Sequence, residues 1–430
     1  MFGLFLQIME GYRKTILESG IPVITEHMTS VESVCLGLWI RTGSRDESAS
    51  ERGLSHFIEH MLFKGTTRRS ALDISRDIES VGGSLNAYTG KEYTCVHVKV
   101  LQKDFLLAGD ILIDMLTDSV FDPLEIDRER MVILQEIKMI EDTPDDYVHD
   151  LFNRSFWGDT NSLGFPICGC QETVHSFDRA AIVSFLERYY KADRLLVTAA
   201  GKVSHHEVVD LFGSRLACLS RGSGETRRQA IRGGQNGPRV IHRDLEQVHL
   251  CVGTNGLHYG DDRRYAAHVL TTLLGGNMSS RLFQEVREKR GLAYSIFSFL
   301  NMYEDAGLFG VYAGATRDTI TMVVELVMQE LREILDGRLG AEELRAAKEF
   351  LRGSILLGLE SPDGRMSRLA KNEMYFGQDI PMEAALAKLE GVTLDEVVAV
   401  AREMFDPGTL CVTLLGPVRE DELKCDRWVL

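Results

Sequence analysis

The stretch GLSHFIEHMLFKGT, residues 53–66, contains an apolar stripe with helical spacing and, between its members, a group of histidine and glutamate residues. At about 100° per residue, its apolar side chains share one face with the i, i+3, i+4, i+7, i+8 spacing of a core-facing helix. These apolar residues are Leu54, Phe57, Ile58, Met61 and Leu62. His56, Glu59 and His60 fall within a narrow arc on the other side. The stretch therefore predicts an amphipathic helix whose polar arc is either a metal site or a solvated surface.

The polar arc contains the residue types that a metal-assisted hydrolase needs. Two imidazoles at i and i+4 can hold a divalent ion, for which Zn²⁺ is the usual choice, and an adjacent glutamate can accept a proton from water. Chance alone would produce H-x-x-[acid]-H in about 1 in 20 chains of this composition. The motif therefore needs a third ligand to support it.

Two glutamates are candidates for that third ligand. Glu129 and Glu136 lie seven residues apart in IDRERMVILQEIKM, which is two turns along one face of a helix. Either one would complete a His₂Glu site, and the other would hold a ligand in place. The spacing does not say which glutamate does which, and a solvated acidic face remains an alternative for both.

The two halves of the chain repeat one order of elements. In the first half, strand patterns at 31–43 and 93–101 alternate with helical patterns at 53–66, 104–118 and 122–142. In the second half, the strand patterns are 247–257, 292–300 and 307–315, and the helical patterns are 262–276, 318–337 and 341–356. We therefore expect an α+β protein with two homologous α/β-layer domains, each a mostly antiparallel sheet with helices packed on it. The domains would be 1–217 and 241–430, joined by a Gly- and Arg-rich linker at 218–240.

Composition narrows the function classes. A formal charge of −16 over 430 residues argues against non-specific nucleic-acid binding. The N-terminus lacks the pattern of a secretory signal, and no apolar run is long enough to span a membrane.

Eight cysteines are too sparse for a disulfide framework, so we expect a cytoplasmic protein. The pair Cys168 and Cys170 has no second pair at zinc-ribbon spacing, which favours inert or weakly reactive thiols over a metal site.

The histidine stretch, followed by Glu136 in ILQEIKM, resembles the pitrilysin-type metallopeptidases, whose signature is the inverted zincin H-x-x-E-H. The closest resemblance is to the bacterial peptidases that are similar to mitochondrial processing peptidase. It extends from residue 12 to the last helices and leaves the first eleven residues ahead of it. By position, the resemblance implies that His56, His60 and Glu136 bind one Zn²⁺ per chain. It also implies that Glu59 is the general base and that Glu129 supports a ligand.

The same resemblance implies where a peptide substrate binds. In GGSLNAYTGKEYT, residues Asn86, Ala87 and Tyr88 would line an extended peptide along an exposed strand edge. In SSRLFQEVREKRGLAYSI, Arg287 and Tyr294 match the pair that contacts substrate near the scissile bond. On residue pattern alone, a solvated helix end and an ordinary strand residue are the simpler interpretations of that pair.

One loop departs from the family pattern. SLGFPICG, residues 162–169, has Phe165 where relatives often carry an arginine. Contacts that depend on that arginine are therefore not expected here.

The resemblance also implies an assembly. The family chamber is built from four such domains, and this chain has two, so we expect half of a clamshell and a homodimer. Each site would be completed in trans by Arg287 and Tyr294 of the partner subunit. A zinc-dependent endopeptidase is the expected function. The alternatives are a non-catalytic or substrate-presenting subunit, and a metal hydrolase that acts on something other than peptides.

Overall fold

The computed structural model describes residues 11–217, 219–222, 228, 231–234, 238–423 and 428. Apart from Gly11, the expected N-terminal extension lies outside these residues, as does much of the expected linker at 218–240. The strands are β1 (Tyr12–Ile16), β2 (Pro22–His27), β3 (Ser33–Ile40), β4 (Ser84–Thr89), β5 (Thr94–Leu101), β6 (Leu195–Gly201), β7 (Pro238–His242), β8 (Val248–Asn255), β9 (Ala293–Met302), β10 (Gly307–Ala315) and β11 (Cys411–Gly416). The helices are α1 (Leu54–Met61), α2 (Ala71–Glu79), α3 (Phe105–Thr117), α4 (Pro123–Glu141), α5 (Pro144–Trp157), α6 (Gln171–Ser176), α7 (Arg179–Tyr189), α8 (His205–Leu216), α9 (Arg264–Gly275), α10 (Ile320–Leu335), α11 (Ala341–Gly358), α12 (Pro362–Phe376), α13 (Met382–Gly391) and α14 (Leu394–Met404).

The strands form two mixed sheets. The first has the order β1-β2-β6-β3-β5-β4, and the second has the order β7-β11-β8-β10-β9. Among the described strands, each sheet contains one parallel pair, β2 with β6 and β7 with β11, and its other pairs are antiparallel. The predicted α+β class with two similar layered domains is therefore confirmed.

Both faces of the first sheet are apolar. Along β3, Leu36 and Leu38 point into one core, while Cys35 and Trp39 point into another on the opposite side. The first core is closed by helices that include α1, α3, α4, α7 and α8. The second is closed by α12, through side chains such as Met366 and Leu369. A strand that is buried on both faces needs two covering layers.

The second sheet repeats this arrangement. One of its faces packs on α9, α10 and α14. The other packs on α5, whose Phe152 and Phe156 are fully buried against strand residues such as Cys251 and Tyr312. Each sheet is thus covered by several helices on one side and chiefly by one helix on the other.

The single covering helices are exchanged between the two halves of the sequence. One compact unit comprises residues 1–137, 166–227 and 356–381, and the other comprises 138–165, 228–355 and 382–430. Helix α12 from the second half covers the first sheet, and α5 from the first half covers the second sheet. The compact units therefore differ from the contiguous ranges 1–217 and 241–430 at these two segments, because each sheet needs cover on both faces.

A strand glycine lies beneath each exchanged helix. A Cβ on Gly37 of β3 would lie 2.3 Å from the sulfur of Met366 in α12. A Cβ on Gly253 of β8 would lie 2.7 Å from the ring of Phe152 in α5 and 2.4 Å from the backbone oxygen of Phe309. In both sheets, a missing side chain allows the helix to approach the strand closely.

Element bounds agree with the sequence patterns to within a few residues. The strand expected at 307–315 is β10, and the helix expected at 122–142 is α4. One expectation was wrong at its edge, because Pro238–His242 forms β7 although residues up to 240 were expected to be linker. These residues pair in parallel with β11, a partner far along the chain.

Among the residues that the structure describes, none of the helices combines the length and apolar character that a membrane span requires.

We predict that Gly253→Ala destabilises the fold by about 1–3 kcal/mol, the usual effect of overpacking a filled core. The new methyl group would overlap both the ring of Phe152 in α5 and the backbone oxygen of Phe309, which the sheet holds in place. Urea unfolding of both variants measures the effect against Gly353→Ala on α11, where a Cβ meets no atom within 4 Å. The control should be neutral or slightly stabilising. Equal stability of the two variants would contradict the close approach of α5.

Candidate metal centre

Helix α1 begins at a backbone position that requires glycine. Gly53 precedes the helix with φ of 91°, in the left-handed region. A Cβ there would lie 2.7 Å from the backbone oxygen of Cys168. The start of α1 is therefore packed directly against the segment that contains Cys168.

The first N–H groups of α1 are satisfied by a residue that the sequence analysis missed. Glu47 accepts hydrogen bonds from the backbone N–H of Gly53 at 2.8 Å and of Ser55 at 2.7 Å. Burial raises the pKa of Glu47 to about 8, although these hydrogen bonds act in the opposite direction. No motif marked Glu47, because it lies outside the helix and its role depends on a loop conformation.

The polar arc of α1 is not a solvated surface. His56 and Glu59 are each only 8% exposed, and His60 is half-buried. Leu54 and Phe57 on the apolar face lie in the main core of the first unit, as predicted. The alternative of an ordinary amphipathic helix with a wet side is therefore excluded.

Helix α4 brings Glu136 to the two imidazoles. His56 Nε2 lies 3.8 Å from Glu136 Oε1, and His60 Nε2 lies 3.7 Å from Glu136 Oε2. The two Nε2 atoms are 3.2 Å apart. Two imidazole nitrogens and a carboxylate that converge in this way form the donor set of a His₂Glu zinc site, and the residues present fit that metal.

Glu129 makes a different contact from Glu136. Its Oε1 lies 2.8 Å from Nδ1 of His60, and its Oε2 lies 2.5 Å from Nζ of Lys64. A carboxylate on Nδ1 keeps the proton on that nitrogen and leaves the lone pair of Nε2 available. The sequence spacing does not distinguish Glu129 from Glu136 as the third ligand, but the two carboxylates contact different atoms of the histidine pair.

The ionisation of the cluster follows from burial and these contacts. Burial, with a smaller effect from nearby His60, lowers the pKa of His56 to about 3, so this imidazole is neutral. Burial would lower the pKa of His60 as well, but the hydrogen bond and charge of Glu129 outweigh it and the net shift is upward. Burial raises the pKa of Glu59, opposed by a hydrogen bond from Thr89.

Thr89 connects α1 to the edge of the sheet. Its hydroxyl donates to Oε2 of Glu59 at 2.5 Å. Thr89 is the last residue of β4, the outermost strand of the first sheet. The sequence analysis did not single it out, although it directly follows the NAY segment.

Asn86, Ala87 and Tyr88 lie on this edge strand. Asn86 Oδ1 accepts a hydrogen bond from the backbone N–H of Ala87 at 2.9 Å, so that N–H points away from β5 and toward the open edge. The ring of Tyr88 packs edge-on against Trp39 at 6.1 Å. The predicted peptide-binding residues therefore lie on a strand edge that pairs with no other described strand, and Thr89 of the same strand contacts Glu59.

Arg287 and Tyr294 belong to the second unit and contact each other. Arg287 lies in a π-helical segment, Phe283–Glu288, with its guanidinium 4.6 Å from the ring centre of Phe283 and 5.1 Å from that of Tyr294. Tyr294 is 78% exposed. The stack presents a phenol and a guanidinium together.

The C-x-C pair is closer to the site than the sequence indicated. Cys168 Sγ lies 3.8 Å from Glu136 Oε1. Cys170 instead contacts Thr173 at 3.4 Å. The two thiols therefore have different surroundings, and only that of Cys168 borders the candidate metal centre.

Known proteins similar to this chain are peptidases. Residues 22–168 match the family described as insulinase (peptidase family M16), and residues 176–351 match the peptidase M16 inactive domain. An uncharacterized zinc protease of Streptomyces coelicolor is 42% identical over 421 residues, which covers 95% of this chain and 90% of the relative. The uncharacterized zinc protease YmxG of Bacillus subtilis is 39% identical over 391 residues, which covers 90% and 94%.

Solved structures give the same fold. A protease from Helicobacter pylori superposes with a TM-score of 0.87 at 19% identity and covers 95% of this chain and 100% of its own. A peptidase M16 inactive domain from Pseudomonas fluorescens has a TM-score of 0.88 at 18% identity, with coverage of 95% and 98%. At these identities, the likeness concerns the fold alone.

We predict that Glu47→Ala lowers the free energy of unfolding by about 2–4 kcal/mol, because two buried N–H groups lose their acceptor. The substitution should also weaken zinc binding, since α1 carries both histidines. Thermal unfolding and zinc titration measure the two effects. Glu187→Ala, at an exposed position of α7, is the matched control and should stay within about 0.5 kcal/mol of wild type. Unchanged stability of Glu47→Ala would refute the capping role.

Proposed function

The chain belongs to the insulinase-type M16 peptidase family, and we propose that it is a zinc-dependent endopeptidase that hydrolyses extended peptides or unfolded segments. The observation that carries the proposal is the convergence of His56 Nε2, His60 Nε2 and the Glu136 carboxylate within 4 Å, with Glu59 on the same helix. Relatives named zinc proteases that match nearly the whole chain support it.

In this proposal, His56, His60 and Glu136 hold one Zn²⁺ per chain, and Glu129 orients His60. Zinc, when bound there, supplies the Lewis acidity that activates water and polarises a carbonyl. Glu59 accepts the proton of the attacking water and passes it to the leaving amine. Thr89 holds Oε2 of Glu59, so Oε1 is the atom that carries the proton.

The substrate would bind as an added strand on β4. An exposed edge offers backbone groups to an extended peptide of any sequence, with Asn86, Ala87 and Tyr88 along it. Peptide binding there would displace the Asn86 side chain from the N–H of Ala87. Tyr294 would donate its hydroxyl to the developing oxyanion, and Arg287 would bind a peptide carbonyl.

We further propose a homodimer in which Arg287 and Tyr294 complete the site of the partner subunit. The support is that the zinc residues and the Arg–Tyr pair belong to separate units, and that residues 176–351 match a domain described as inactive. A cytoplasmic location belongs to the same proposal, on the basis of the sparse cysteines.

We predict that Glu59→Gln retains zinc but loses about 10²–10⁴-fold in turnover, the usual contribution of a general base. Metal analysis and hydrolysis of denatured protein measure the two properties on the same sample. Glu79→Gln, at an exposed position at the end of α2, is the control and should keep full activity. A folded, zinc-loaded Glu59→Gln protein with wild-type turnover would rule out the assignment.

A second experiment tests the trans site by mixing inactive Glu59→Gln and Arg287→Ala subunits. If subunits exchange at random, half of the dimers are mixed and one site in each is intact, so about a quarter of wild-type activity returns. Mixing Glu59→Gln with His56→Ala is the matched control, because both lesions then fall in the zinc half and no intact site can form. Exchange is verified by mass spectrometry of tagged subunits. Full exchange without recovered activity would show that sites are not shared.

A further inference from the structure

Beneath α12, the first sheet carries a second group of metal-ligating side chains. Cys35 lies on β3, His97 on β5, and Asp363 at the start of α12. A ligand atom of each lies within 4.8 Å of the other two. Cys35 points to the face opposite the one that packs against α1, so this group is separate from the candidate metal centre.

Each oxygen of the Asp363 carboxylate accepts a hydrogen bond from a different side chain. Its Oδ2 accepts a hydrogen bond from Nζ of Lys99 at 2.7 Å. Its Oδ1 accepts from the thiol of Cys35 at 3.4 Å. Lys99 thus fixes the carboxylate so that Oδ1 faces the buried sulfur.

The imidazole of His97 leaves one nitrogen without a partner. Nδ1 is buried, and no hydrogen bond reaches it among the residues that the structure describes. Buried polar atoms of this kind are rare in native proteins, and a bound ion is one of the explanations for them. In the neutral tautomer that carries its proton on Nε2, Nδ1 has a free lone pair and is a metal donor.

We propose that Cys35, His97 and Asp363 form a second binding site for a divalent transition metal, with Zn²⁺ as the preferred ion. One thiolate, one imidazole and one carboxylate are a donor set that suits Zn²⁺ and disfavours Ca²⁺ and Mg²⁺. On binding, the Sγ–H proton leaves to solvent and a metal–sulfur bond replaces it. Water would fill the fourth position.

The consequence of this site is structural. Its three ligands come from two strands and from α12, so the ion would fasten that helix to the sheet it covers. Without a metal, Cys35 and Asp363 belong to a chain of hydrogen bonds that ends at Lys99, and His97 packs edge-on against the ring of Tyr88. The two possibilities differ in metal content and in whether sulfur is bonded to the metal.

The test is a titration of metal-free protein with Co²⁺, followed by its near-ultraviolet thiolate-to-metal charge-transfer absorption. Wild type should bind two ions per chain and show this absorption, because Cys35 supplies a thiolate to the second site. The proposed ligands of the first site, His56, His60 and Glu136, include no thiolate, although Cys168 lies beside them. Cys35→Ser should bind one ion and lose the absorption. Cys168→Ser is the critical control, since Cys168 borders the first site, and it should keep the absorption.

Cys35→Ser changes a buried residue and could fail to fold, so Asp363→Asn serves as a second variant of the same site. Asp363 is a partly exposed helix residue, and its substitution is less disruptive to folding. In a His56→Ala background, saturating Zn²⁺ should raise the melting temperature, and adding Asp363→Asn should abolish that rise. A wild-type stoichiometry of one overturns the proposal. So does a charge-transfer absorption that survives Cys35→Ser, or one that vanishes with Cys168→Ser. None of these outcomes depends on peptidase activity.

Discussion

Helix α1 is eight residues long, and seven of those residues are buried, including His56 and Glu59. A helix this short has little stability of its own, so its position depends on what surrounds it. The N–H groups at its N-terminal end are buried away from water and need acceptors within the protein. The carboxylate of Glu47 accepts hydrogen bonds from two of them. Gly53 allows the segment at Cys168 to close over the same end. Because both candidate histidines are on α1, the geometry of the metal centre depends on this buried cap.

The two glutamates of α4 show how tertiary contacts assign roles that spacing leaves equal. Glu129 and Glu136 are two turns apart on one helix, and they meet different atoms of the histidine pair on α1. Glu136 approaches both Nε2 atoms. Glu129 meets Nδ1 of His60, and Lys64 balances its charge. In the proposed site, the carboxylate nearer to the start of α4 would therefore orient a ligand, and the later one would complete the donor set.

Much of the fold could be predicted from local pattern, because alternation and helical periodicity are properties of short windows. The strands β3, β5, β8 and β10 and the helices α3, α4, α9 and α10 follow such windows closely. The histidine motif and the glutamate face likewise identified the residues that converge. Features that depend on distant partners were not accessible. Glu47 acts through a loop, Thr89 acts through the end of an edge strand, and β7 pairs with β11, which lies far along the chain.

The exchange of α5 and α12 has a consequence for the order in which the chain can fold during synthesis. The last strand of the first sheet ends at Gly201, but its second cover begins only at Pro362, roughly 160 residues later. At about 5–20 residues per second, translation needs about 8 to 30 seconds to cross that interval. For that time, the sheet face that bears Trp39 and Leu196 has emerged from the ribosome without α12. The second sheet has the reverse order, because α5 is made before any strand that it covers. Neither half of the nascent chain can therefore complete a unit by itself.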